Sequence, residues 1–283
     1  MPEPRRRTAH VATVLRTESL STSLVRVVCG GGTLSRFEPS PFTDSYVKVV
    51  FVHPDVPRPL PRTEDGRVDL DAGREGLSPD RLPRMRSYTV RDFDRAAAEL
   101  TLDFVVHGDA GLAGPWAAAA RVGDEVLLLG PGGGYAPDAT ADRHLLVGDA
   151  SAVPAIAVAL ERLTPEAVGD VVVEVHDATE EVPLAAPAGV TVTWVHSDDE
   201  RPGTRLVDAV RGLPWSDVDL QAFVHGEASA VRELRRYLRT ERGMGLDRLS
   251  ISGYWRLGVD DEGWRAAKRE WNAAIEESES LPA

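Results

Sequence analysis

The rhythm of apolar positions changes near residue 138, and that change divides the chain. Ahead of it, short runs at 10–17, 23–28 and 46–52 alternate or carry β-branched side chains, as half-buried strands do. Gly30-Gly31-Gly32 marks a turn between the second and third runs. Pro54, Pro57, Pro59 and Pro61 then break any regular element, and Asp65-Gly66 is a turn signal. Residues 54–83 therefore read as a surface excursion with at most a short strand at 68–70. Further strands are predicted at 87–90 and 99–106 around a polar turn at Asp94, then a short helix at 111–120 and a strand at 126–129. Many short strands with regular turns predict a small antiparallel β-barrel. Gly130-Pro131-Gly132-Gly133-Gly134 closes this half, either as a linker or as a loop against a cofactor.

Beyond residue 138 the apolar runs at 144–147, 171–175, 190–195, 220–224 and 249–252 suit strands buried in a parallel sheet. Helical stripes separate them. Ser151 is read as a helix cap with Pro154 in the first turn, followed by Ala155, Ile156, Ala159, Leu160 and Leu163 on one face. Residues 204–211 and 228–240 repeat the helical period. The alternation predicts a doubly wound α/β domain with a mainly parallel sheet. A last amphipathic helix at 261–277 places Trp264, Ala267, Trp271 and Ile275 on a packing stripe. The expected domains are 1–138 and 139–283.

Charge sharpens this division. The net charge of -13 is carried unevenly, at -2 over residues 1–138 and -11 over 139–283, which disfavours bulk nucleic-acid binding. Against that background Arg81, Arg84, Arg86, Arg91 and Arg95 stand out, either as a solvated face or as an anion site. The single Cys29 excludes an intrachain disulfide and a self-contained cysteine-ligated iron–sulfur cluster, and is expected as a buried structural thiol. Seven dispersed histidines give no metal-ligand spacing. No long apolar run is present, and Arg5-Arg6-Arg7 leads into a strand pattern instead of a signal core, so a cytoplasmic location is expected.

Candidate chemistry concentrates at residues 84–91. Here basic, aromatic and hydroxyl groups fall together, which suits an anionic aromatic cofactor such as a flavin dinucleotide. Arg86 would pair with phosphate through its planar fork, Tyr88 would pack on the isoalloxazine or ribityl chain, and Thr89 would hydrogen-bond the ring edge. Gly148-Asp149-Ala150-Ser151-Ala152 is a strand-to-helix turn whose amides could receive a pyrophosphate, without the full glycine fingerprint of dinucleotide folds. The acidic residues at 198–199 would repel a 2′-phosphate and Arg201 and Arg205 would attract one, so NADH and NADPH both stay open.

In order along the chain stand Arg86-Ser87-Tyr88-Thr89-Val90-Arg91, His107-Gly108-Asp109-Ala110-Gly111 with Trp116-Ala117, Gly123-Asp124, Gly130-Pro131-Gly132 and Gly148-Asp149. His225-Gly226-Glu227-Ala228 and Ser252-Gly253-Tyr254-Trp255-Arg256-Leu257-Gly258 follow. In that order and spacing they resemble the siderophore-interacting proteins, a branch of the ferredoxin-reductase-like flavoenzymes, over nearly the whole length. The resemblance implies an FAD-binding barrel, an α/β nicotinamide-binding domain, and reduction of ferric siderophores to release ferrous iron. It places Arg86, Ser87, Tyr88, Thr89, His107, Gly108, Gly111, Ala113, Gly114 and Trp116 at FAD. Gly148, Asp149, Ser151, Ala152, Glu227, Tyr254 and Trp255 are expected at the cofactors as well, and Lys48 and Arg256 match basic positions that attract the ferric chelate. The chain departs from the family pattern at Gly114-Pro115, where a small hydroxyl residue is usual, and at His196-Ser197, where an arginine is usual. The first departure removes a side-chain bond to phosphate and, at Pro115, an amide hydrogen.

The expected function is FAD-dependent transfer of electrons from NADH or NADPH to a ferric siderophore. No side chain is expected as a nucleophile, because the flavin would carry the chemistry. Two other readings stay open: a flavin reductase supplied by ferredoxin, and a non-catalytic module binding flavin or a ferric chelate.

Overall fold

The computed structural model describes residues 6–109, 111–215 and 218–280, apart from the side chains of residues 276 and 278–280. Of the sequence landmarks, Arg5 and Ala110 lie outside the described residues. By its internal contacts the chain divides into two units, Met1–Gly133 and Gly134–Ala283.

The first unit is built from β1 (Thr8–Ser19), β2 (Leu24–Gly30), β3 (Tyr46–Phe51), β4 (Val68–Asp69), β5 (Arg84–Asp94), β6 (Glu99–Val105), the helix α1 (Ala113–Ala119) and β7 (Glu125–Gly132). Antiparallel ladders run β2–β6–β5–β3–β7–β1 and return from β1 to β2, which closes a six-strand barrel; β4 adds to β1 outside it. Alternation along the strands sorts the side chains. Val47 and Val49 enter the barrel core with Val27, Leu102, Phe104 and Leu128, while Val50 joins a second cluster under the excursion with Val56, Leu60, Val68 and Leu70. The proline-rich excursion is thus tied down by its own apolar residues. Ala113 and Ala117 of α1 lie in the barrel core, so the small residues of this helix let it pack closely.

Two expectations change here. Strand β5 extends well beyond the predicted 87–90, because charged residues at Arg84, Arg86, Arg91, Asp92 and Asp94 interrupt the apolar signal of Met85 and Phe93. Gly130-Pro131-Gly132 does not form a closing loop but completes β7, with Gly132 paired to Tyr46. A Cβ on Gly132 would lie 2.4 Å from Cζ of Tyr46, so glycine stands there to let the ring lie on the strand.

The second unit contains β8 (Arg143–Asp149), α2 (Val153–Arg162), β9 (Val168–Val175), β10 (Gly189–His196), α3 (Thr204–Arg211), β11 (Leu220–Glu227), α4 (Ala228–Arg236), β12 (Leu249–Trp255) and α5 (Asp261–Ser280). The sheet is parallel throughout, in the order β10–β9–β8–β11–β12. Strands β8 and β11 are neighbours although β9 and β10 intervene in sequence. Their carboxyl ends therefore form the switch point at which ligands of such sheets bind. Helix α4 continues into a π-turn, Tyr237–Glu241, which shortens the predicted 228–240 helix. On α5, Trp264 and Ile275 are buried, and Trp271 meets Trp264 edge-on at 5.3 Å. Among the described residues no helix is long and apolar enough to cross a membrane.

Candidate functional site

In the barrel unit the β3–β5 register sets Val49 opposite Arg86, Val47 opposite Tyr88, Lys48 opposite Ser87 and Tyr46 opposite Thr89. Opposed residues of an antiparallel pair share a face, and neighbours alternate. Arg86 and Tyr88 therefore share the inner face with Val47 and Val49, whereas Lys48 and Ser87 face outward. Tyr88 packs against Phe104 at 4.0 Å, Phe104 against Trp116 at 5.4 Å, and Trp116 against Phe51 at 5.8 Å. This aromatic chain links the middle of β5 to α1. The Arg86 Nη1 donates to the Met85 carbonyl at 3.0 Å, and the side chain is half-buried; Thr89 is buried.

The loop from β6 to α1 reaches the same aromatic group. His107, Gly108 and Gly111 are exposed. Gly108 and Gly111 have φ of +54° and +82°, and a Cβ on either would meet nothing within 4 Å. Backbone conformation, not space, is what requires glycine there. Gly114 has the opposite reason: its Cβ would come 3.2 Å from the Val105 carbonyl oxygen, so its bare Cα lets α1 sit against β6. The set Arg86, Tyr88, Thr89, Gly111, Ala113, Gly114 and Trp116 is thus gathered at one group of elements. A guanidinium, a half-buried aromatic surface and an open glycine loop form a donor set that fits an anionic dinucleotide carrying an aromatic ring system.

The arginine cluster is less uniform than its spacing suggests. Arg95 is held bidentately by Glu38 at 2.7 and 2.6 Å, and Arg81 lies 3.7 Å from Asp55. Those two are surface ion pairs, a pairing that sequence distance conceals.

In the α/β unit the centre is Asp149, at the carboxyl end of β8. Its Oδ1 accepts the Ser151 amide at 2.9 Å and the Ser151 hydroxyl at 2.5 Å; its Oδ2 accepts the Glu227 amide at 2.8 Å and Trp255 Nε1 at 2.7 Å. Burial pushes this carboxyl above its usual range against the pull of those four donors. Ser151 is consequently not the cap of α2, which begins after Ala152 without a side-chain cap. The Ala152 amide donates to the Asp149 carbonyl at 2.9 Å, and Pro154 has no amide hydrogen. Fewer amides at this turn therefore face outward for a pyrophosphate than the sequence suggests. Gly148 packs tightly, since a Cβ there would lie 2.4 Å from that of Ala152.

Glu227 accepts the Ser229 and Ala230 amides at 2.6 and 3.1 Å and so caps α4, and its other oxygen accepts the Leu257 amide at 3.2 Å. Tyr254 meets His225 edge-on at 4.9 Å. Gly148, Asp149, Ser151, Ala152, Glu227, Tyr254 and Trp255 are thereby brought into one neighbourhood.

The sequence reading passed over the buried Glu174 and named His225 only as part of a motif. Glu174, inside a valine-rich strand, accepts the Gly203 amide at 2.5 Å and the Leu206 amide at 2.8 Å, which fixes the start of α3. A carboxylate interrupting an apolar run was the available signal. His225 is stacked on Phe223 at 3.8 Å, and burial holds it neutral, with its pKa lowered to about 3. Arg205 bonds the His196 carbonyl and Asp198, both at 2.8 Å, and Glu200 at 2.8 Å, so carboxylates of its own unit already engage it. Among the described residues no group of three or more His, Cys, Asp or Glu could hold a metal ion.

Comparisons with known proteins identify the family. Residues 13–135 match the model of the siderophore-interacting FAD-binding domain, and residues 141–258 that of the siderophore-interacting protein. The ferric vibriobactin reductase ViuB of Vibrio cholerae is 34% identical over 88% of this chain and 90% of its own. The NADPH-dependent ferric-chelate reductase of Escherichia coli is 32% identical over 86% of this chain and 91% of its own. A siderophore utilization protein from T. fusca superposes with a TM-score of 0.76 at 35% identity, covering 89% of this chain and 94% of that one. With both of its units matched in order, the chain belongs to the siderophore-interacting protein family, and its barrel is an FAD-binding domain.

Proposed function

We propose that this protein is a flavin-dependent ferric-chelate reductase that draws electrons from NADH or NADPH. The observation that carries the reading is the inner-face pair Arg86 and Tyr88, joined through Phe104 to Trp116 beside the open glycine loop, within a domain of the FAD-binding family. Arg86 would hold the pyrophosphate by charge-assisted bonds, since a guanidinium fork matches phosphate oxygens. Tyr88 would cover the ring system, and the Thr89 hydroxyl or backbone would set its edge. Beside His107, the backbone at Gly108 and Gly111 would come close to the phosphates, since these two residues have no side chain of their own. Bound there, FAD supplies the step between a two-electron donor and a one-electron acceptor, so that one nicotinamide cofactor reduces two ferric ions and releases one proton.

The nicotinamide cofactor would lie at the switch point around Gly148, Ser151 and Tyr254. Asp149 and Glu227 would shape those loops and not touch the ligand with their engaged carboxylates. Lys48 and Arg256, both outside the inner-face pair, would attract the ferric chelate. Ferrous iron is held less tightly than ferric iron by hard oxygen donors, so reduction would discharge the chelate. The single Cys29, buried with its pKa raised to about 12, is an inert thiol and fits work in a reducing cytoplasm. The experiment is anaerobic: NADH or NADPH should bleach the bound flavin, and a ferric siderophore should restore its colour. Bleaching by reduced ferredoxin alone would assign a different donor, and a flavin that no ferric chelate reoxidises would exclude iron reduction.

A further inference from the structure

After β12 the chain makes a tight turn around Arg256. The Val259 amide donates to the Arg256 carbonyl at 3.1 Å. Arg256 is exposed, and Leu257 and Val259 beside it are 47% and 40% exposed, so little packing around the side chain fixes where it projects. Its two neighbours in sequence are fixed instead. Trp255 Nε1 donates to Asp149 Oδ2 at 2.7 Å, and the Leu257 amide donates to Glu227 Oε1 at 3.2 Å.

Both acceptors are nearly inaccessible, at 9% and 2% exposure, and both are anchored further. Asp149 Oδ2 also takes the Glu227 amide at 2.8 Å, and Glu227 Oε2 caps α4 through Ser229 and Ala230. Asp149 and Glu227 end β8 and β11, adjacent strands at the middle of the sheet. The turn thus hangs from buried carboxylates at the ends of two central strands by one bond on each side of the arginine. Gly226 completes the contact. Its φ is +151°, and a Cβ there would sit 2.5 Å from Asp149 Oδ2, so only glycine admits the carboxylate at this place.

We propose that Asp149 and Glu227 are positioning residues for Arg256, holding positions 255–257 so that the turn from which its guanidinium projects is already ordered when an anionic ferric chelate arrives. This rests on the reading of Arg256 as a chelate-attracting residue. The physical reason is entropy. An arginine on an untethered turn must be ordered at each encounter, and that cost comes out of the binding free energy. A tethered turn has met the cost on folding. Burying the Asp149 carboxyl beneath a surface turn is costly in itself, because burial disfavours its charged form.

The test uses the FAD-loaded full chain and gallium(III) citrate, a redox-inert chelate of ferric charge, with ferric citrate reduction followed in parallel as the ferrous–ferrozine complex. Glu227→Gln keeps an oxygen for the α4 amides while turning an amide group toward the Leu257 amide. Trp255→Phe keeps the aromatic body and removes the bond to Asp149. Each should weaken gallium(III) citrate binding about 3- to 10-fold, the scale of one lost hydrogen bond. The KM for ferric citrate should rise alongside, by a larger factor than any fall in kcat.

Arg256→Ala should weaken binding at least as far. Adding Glu227→Gln to Arg256→Ala should then change it less than about 2-fold, because residues acting through one group do not add. Full additivity in that double variant overturns the proposal, as does a loss of kcat or bleaching rate with binding intact. Unchanged binding in Arg256→Ala overturns it by removing the group to be positioned. Failure of the broader functional reading looks different: chelate binds and responds to these variants, but reduced flavin does not pass electrons to iron.

Discussion

Arg86 carries the sharpest assignment of any single side chain. Charge-assisted bonds to phosphate are worth roughly 1.5–3 kcal/mol each, so Arg86→Ala should weaken FAD binding about 10- to 150-fold. Flavin absorbance retained after gel filtration measures this, with far-UV circular dichroism checking that the fold persists; FAD affinity within 2-fold of the unaltered chain would contradict the phosphate role. His225 gives a pH-dependent prediction. Its pKa falls from 6.5 to about 3 through burial first, with Lys268 adding to it. As pH drops from 6.5 toward 3, the unfolded chain takes up a proton that the folded chain refuses, so stability declines by up to about 1.4 kcal/mol per pH unit. In His225→Phe that share of the decline should vanish, read as a shallower dependence of the denaturation midpoint on pH. Parallel slopes would show that burial does not hold His225 neutral. That Arg86 and Tyr88 share one strand face was legible in the sequence, because both lie on a single strand. The role of Asp149 was not. Its partners lie 78 and 106 residues away, at Glu227 and Trp255, and only strand order brings them together.

At the scale of elements, periodicity found the strands and helices whose signal is apolar and missed what is carried by polar residues or by glycine. Strand β5 begins at Arg84 and ends at Asp94, where exposed charged residues hide the extended backbone. Strand β7 runs through Gly130 to Gly132 because Tyr46 lies on it, a contact between distant segments. The stripe on α5 was legible, and it carries a prediction. Trp264 is 2% exposed and donates its Nε1 to the Gly253 carbonyl at 3.3 Å. Removing its ring in Trp264→Ala should cost the α/β unit about 3–5 kcal/mol, seen as a lower unfolding temperature by calorimetry. An unchanged transition would mean that α5 is not anchored there. The ring packs over Gly253, where a Cβ would lie 2.9 Å from it, so helix and strand are matched by the absence of one side chain.

At the scale of the whole molecule, the change of rhythm along the chain foretold a barrel followed by a parallel sheet. The alternation of strand and helix after residue 138 points to parallel pairing, because parallel neighbours need long crossovers that are usually helical, although the one from β9 to β10 carries no α-helix. The order β10–β9–β8–β11–β12 is not written in any one segment, and it is this order that makes the ends of β8 and β11 a site. In the proposed activity both units take part: electrons from a nicotinamide cofactor would reach ferric iron through FAD held by the barrel. The most direct measurement is an anaerobic titration of the FAD-loaded protein with limiting NADH or NADPH and excess ferric siderophore, counting ferrous iron. Two ferrous ions per nicotinamide oxidised are expected, and none from protein stripped of flavin. Ferrous iron formed at the same rate without flavin, or flavin reduced by nicotinamide and left reduced in the presence of ferric siderophore, would contradict the proposed activity.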